Sequence, residues 1–64
     1  MKIKTQLITD YMHEHKISPI EFCRRCEITA RIFEKIFAHD YDFGISKLKH
    51  IADVLEVSMS DLLN

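Results

Sequence analysis

The chain has 64 residues, 47% hydrophobic and 30% charged, with a net charge of −1 when its four histidines are neutral. That length holds one domain over residues 1–64, with a core too small to waste any packing. One Gly and one Pro exclude turn-rich β scaffolds; two cysteines without a leader pattern point to a reducing cytoplasm; and no apolar run approaches the roughly 20 residues that span a bilayer.

Leu7, Ile8, Tyr11 and Met12 recur at helical spacing and predict a first helix over about 4–15. Ser18-Pro19-Ile20-Glu21 then has the form of a helix start. Ser18 is the N-cap, Pro19 takes the first helical position, and Glu21 is placed to reach back and complete a capping box. Ile17 and Phe22 stand where a hydrophobic staple forms. A second helix follows over about 19–25, its stripe made of Phe22, Cys23 and Cys26.

Thr29 opens a third helix over about 29–38, with Ile28 and Phe33 in the staple positions and Phe33, Ile36 and Phe37 as its stripe. Residues 39–44 form the one real loop, in which Tyr41 and Phe43 are expected to cover the core. Leu48, Ile51, Ala52 and Leu55 predict a fourth helix over about 45–55. Ser58, with Asp61 at N3 and Val57 and Leu62 as the staple pair, starts a fifth over about 59–63. Each cap is worth ~1 kcal/mol. No segment alternates with period two, so the fold class is all-α. The link Cys26-Glu27-Ile28-Thr29 is short enough to make its two brief helices cross steeply, as in a helix-turn-helix.

From Ile17 to Ile36 the chain resembles the helix-turn-helix of the phage-repressor and Cro class, the XRE family. Apolar residues stand at the expected places (Phe22, Cys26, Ile28, Phe33, Ile36), and Cys23 fills the small-residue position where two helices meet. Leu48, Ile51-Ala52, Leu55 and Val57-Ser58 continue the pattern without a gap, so the resemblance spans about residues 4 to 63. Phe43 falls where the family usually has Pro.

The resemblance implies a five-helix repressor-like bundle that places the first turns of helix 3 in the major groove of duplex DNA. Carried over by position, the base readers are Ala30, Arg31, Ile32, Glu34 and Lys35. Arg31 can take guanine O6 and N7 through both arms of its fork, Ala30 can meet a thymine methyl, and Glu34 can accept from cytosine N4. Lys35 can reach a base or a phosphate. Thr29 and Ser18 at the helix starts, and His39 beyond helix 3, are phosphate candidates. Ile32 is either another methyl reader or part of an apolar patch for a protein partner. The bland alternative for Arg31, Glu34 and Lys35 is an ordinary solvated face.

Several residues depart from the family pattern. Glu27 takes the place of a common Gly in the turn. Met12 and Phe37 replace a customary Arg–Glu pair and are expected to touch one another. Pro19 replaces a polar residue, often Gln, that helps hold phosphate. Asp40 and Asp42 lie in a loop that is often basic. The resulting expectation is a DNA-binding transcriptional regulator on an operator, a homodimer through helix 5 with Met59, Leu62 and Leu63 as its face. The alternative is the same fold serving as a protein-interaction module, antirepressor or antitoxin-like.

Enzymatic chemistry, a cofactor and a metal are not expected. Cys23 and Cys26 have CxxC spacing but sit on the buried stripe of helix 2, and His13, His15, His39 and His50 form no ligand pair.

Overall fold

The computed structural model describes residues 2–63. Within them the chain forms α1 (Thr5–His15), α2 (Pro19–Cys26), α3 (Ala30–Phe37), α4 (Ile45–Leu55) and α5 (Met59–Leu62). Every boundary agrees with the sequence reading to within one residue. The described residues contain no strand, only an isolated antiparallel bridge between Ile3 and Leu63. Lys4 N–H donates to the Leu62 carbonyl at 2.8 Å beside it, so the two ends of the bundle are tied together.

Three of the four connections repeat one joint: Lys16-Ile17-Ser18, Glu27-Ile28-Thr29 and Glu56-Val57-Ser58. The first residue of each takes the left-handed conformation, at φ 54, 57 and 59°. There it closes the preceding helix: Glu27 N–H donates to the Arg24 carbonyl and Ile28 N–H to that of Cys23, at 3.3 and 3.0 Å. The β-branched second residue turns inward onto the core. The third residue then caps the next helix, since Ser18 Oγ accepts from Glu21 N–H at 3.2 Å, Thr29 Oγ1 from Ile32 N–H at 3.2 Å and Ser58 Oγ from Asp61 N–H at 3.1 Å. Only half of the expected capping box forms at Ser18. The Glu21 carboxylate turns instead to Arg24 and Arg25, at 3.1 and 3.3 Å, because charge-assisted bonds to two guanidiniums outcompete one backbone N–H.

Phe22 is fully buried and organises the core. Its ring meets Tyr11 and Phe33 edge-on, with centroids 5.7 and 6.0 Å apart. Removing such a side chain from water is worth about 1.5–3 kcal/mol. α2 packs against both α3 and α4, and α4 also receives α1 and α5. Tyr41 and Phe43 cover the core as the sequence suggested. Met12 packs on the buried cluster, whereas Phe37 remains 37% exposed and lays its ring 4.9 Å from that of Phe33.

Leu62 requires a correction. It is fully buried, so it cannot serve on a dimer face; the staple with Val57, which draws it inward at the start of α5, decides its orientation. Met59 and Leu63 remain half-buried.

Candidate nucleic-acid interface

α3 turns Ile36 into the core and leaves Ala30, Arg31 and Glu34 exposed on its opposite side. This partition follows from the stripe of Phe33 and Ile36, which the Thr29 cap and the Ile28 staple set in phase with the rest of the bundle. Arg31 stands in the first turn and takes part in none of the ion pairs among the described residues. Exposed and outside these ion pairs, its five donors form the fixed fork that suits guanine or phosphate. Thr29 and Ser18 are exposed, and each hydroxyl keeps its own proton for donation while its oxygen caps a helix.

Ala30 and Glu34 share a wall with the start of α2. A groove of about 530 Å³ runs between the two helices, lined by Pro19, Ile20, Cys23 and Phe33 among others, with Arg24 and Glu34 at its rim. Ile20, at 69% exposed, is one large apolar side chain in it that the apolar stripes left out. Its position on α2, out of step with Phe22, Cys23 and Cys26, was the available signal.

Two expected members of the site are engaged elsewhere. Lys35 Nζ donates to Asp42 Oδ1 at 2.6 Å, so the second cation of α3 already holds a carboxylate from the loop. The hydrogen bond from Lys35, and with it the positive charges of Lys35 and Arg31, holds Asp42 below the usual carboxylate range. His39 lies apart from the first turns of α3. It lines a separate hollow with Lys2, Lys4 and Gln6, and its Nδ1 is 2.6 Å from the Tyr41 hydroxyl, which also accepts from Ile3 N–H at 3.0 Å.

Ile32 is partly exposed and packs against the core, so part of its side chain stays on the outer face of α3. A residue that sequence reasoning missed is Lys47. From α4 its Nζ reaches the Glu27 carbonyl at 3.4 Å and sets a positive charge over the turn between α2 and α3.

Burial pushes Cys26 up to about 12, with the neighbouring Cys23 adding to the effect, and burial raises Cys23 as well, so both remain thiols. Among the described residues no group of three or more His, Cys, Asp or Glu side chains gathers as a metal site. None of their helices is long and apolar enough to cross a membrane.

What the face offers is an exposed helix start, a free arginine fork, two hydroxyls and backbone N–H groups, which is the equipment of polyanion recognition. A family model described as the Cro/C1-type HTH DNA-binding domain matches residues 8–64. No curated protein and no solved structure gives a significant match.

Proposed function

Since the chain belongs to the Cro/C1-type helix-turn-helix DNA-binding domain family, we propose that it is a sequence-specific regulator of transcription that reads DNA with α3. The observation that carries this reading is Arg31, exposed in the first turn of α3 and free of any ion pair among the described residues. In the major groove it takes guanine O6 and N7, with Ala30 against a thymine methyl and Glu34 accepting from cytosine N4. Thr29 and Ser18 hold phosphates beside the free N–H groups of their helices. Lys35 adds a phosphate contact once it leaves Asp42, and His39 is at most peripheral.

An eight-residue recognition helix covers few base pairs, so two copies on symmetric half-sites supply the remaining specificity. Met59 and Leu63 are the apolar residues α5 and its end retain for such a pairing. Selection from a pool of random duplexes, followed by titration at two salt concentrations, tests the proposal. Wild-type protein should enrich a guanine-containing half-site and lose affinity as salt rises, and Arg31→Ala should lower preference at that guanine by about tenfold or more. Binding that shows neither enrichment nor salt dependence refutes it.

One observation favours a second reading. The apolar groove with Ile20 in its wall suits a protein partner. Under that reading Ile20→Glu abolishes function while Arg31→Ala leaves it intact.

A further inference from the structure

We infer that Asp42 occupies Lys35 in place of a DNA phosphate, so that the chain carries its own competitor for one backbone contact and thereby sets its affinity for DNA. The inference rests on the DNA-binding reading above and adds a residue that limits it.

The geometry is that of a presented carboxylate. Lys35 Nζ and Asp42 Oδ1 are 2.6 Å apart, and the lysine side chain is the more enclosed partner, 26% exposed against 64% for the aspartate. The pair spans the end of α3, seven residues apart, a separation that helical spacing does not bring together. The path between them is held by other bonds: Asp40 N–H donates to the Lys35 carbonyl at 2.9 Å and His39 N–H to that of Ile36 at 3.1 Å. The left-handed His39 reverses the chain, and Tyr41 is anchored by Ile3 N–H at 3.0 Å. Asp42 is thus delivered to Lys35 by the backbone rather than drawn there by charge alone.

The chemistry supports exchange. A carboxylate and a phosphodiester are both singly charged oxygen acceptors, and a lysine ammonium, as a compact point charge, does not distinguish their shapes. Arg31 differs: its charge also bears on Asp42, but its fork is not bound there. DNA therefore meets one cation that is free and one that must change partners. An ion pair this exposed is weak enough to exchange. After exchange Asp42 faces the phosphates unneutralised and takes up a cation, which cancels one of the counterions released from the DNA.

Asp42→Asn removes the competing charge and keeps the side-chain shape. Binding of wild type, Asp42→Asn, Lys35→Gln and the double variant to random-sequence duplexes is measured by fluorescence anisotropy between about 50 and 200 mM salt, with thermal melts to confirm folding. Asp42→Asn should bind about tenfold more tightly, and its plot of log affinity against log salt should steepen by about 0.9. Lys35→Gln should cost little in the wild-type background and several-fold more in the Asp42→Asn background. Equal affinity and slope for wild type and Asp42→Asn, with both binding, overturns the inference and leaves the DNA reading standing. A gain of the same size with and without Lys35 also overturns it, since Asp42 then only repels DNA. Absence of salt-dependent binding in every folded variant overturns both.

Discussion

Glu27 holds a left-handed conformation, φ 57° and ψ 43°, at the turn between α2 and α3. An L-residue there pays roughly 1–2 kcal/mol that glycine does not, against about 0.5–1 kcal/mol for the extra freedom glycine has in the unfolded chain. Nothing else is lost in Glu27→Gly, because the bonds of Glu27 run through its backbone: its N–H to Arg24 and its carbonyl from Lys47. The net expectation is a gain of about 0.5–1 kcal/mol, which for a domain this small raises Tm by about 3–6 °C. Circular dichroism melts and urea titrations of wild type, Glu27→Gly and Glu27→Ala measure it. Alanine carries the same left-handed cost and should leave Tm within a degree or so of wild type. If glycine fails to stabilise, or alanine stabilises as much, then left-handed strain is not what the turn stores.

Two further outcomes follow from backbone and burial. Gly44, the N-cap of α4, sits at φ 87° and ψ 158°, a region that only glycine occupies readily, yet a Cβ there would meet nothing within 4 Å. Gly44→Ala should therefore cost about 1–3 kcal/mol through the backbone alone, seen as a lower urea midpoint with an unchanged m-value. Cys26 is raised from 9.0 to about 12, so its contribution to stability is fully present below pH 9 and is lost as pH rises through about 12. Denaturation between those limits should show a fall of about 1.4 kcal/mol per pH unit that Cys26→Ala removes; equal slopes for both proteins would contradict a buried thiol.

The helices and their joints were legible because their determinants are local: a cap oxygen, a staple pair and an apolar stripe all lie within one or two turns of each other. Leu62 was legible in two incompatible ways, as a staple partner of Val57 and as a dimer contact, and in a helix of four residues the staple decides. The turn of Glu21 toward Arg24 and Arg25 was also written at i+3 and i+4, but it competed with the cap for the same carboxylate. Lys35–Asp42 and Tyr41–Ile3 were not legible, because both depend on how the left-handed His39 redirects the loop. Thr29, Ala30, Arg31 and Glu34, the positions that the family resemblance implied, are exposed because periodicity turns the Phe33–Ile36 stripe of the same helix inward. His39 lies beyond the end of that periodicity, so its place in the hollow beside Lys4 was not readable from it.

The thrice-repeated joint also limits where the chain can change length. Each joint uses one residue to close a helix, one to cover the core and one to cap the next helix, so a residue inserted into Lys16–Ser18, Glu27–Thr29 or Glu56–Ser58 parts the left-handed closure from the cap. The staple that seats Phe22, Phe33 or Leu62 against the apolar residue of the joint is lost with it. The stretch from Ala38 to Gly44 has no such joint, and α4 begins there on a glycine without a side-chain cap. A residue inserted between Asp42 and Gly44, beyond the bonds that hold the path from Lys35, is therefore expected to disturb the helices less than one in any of the three joints.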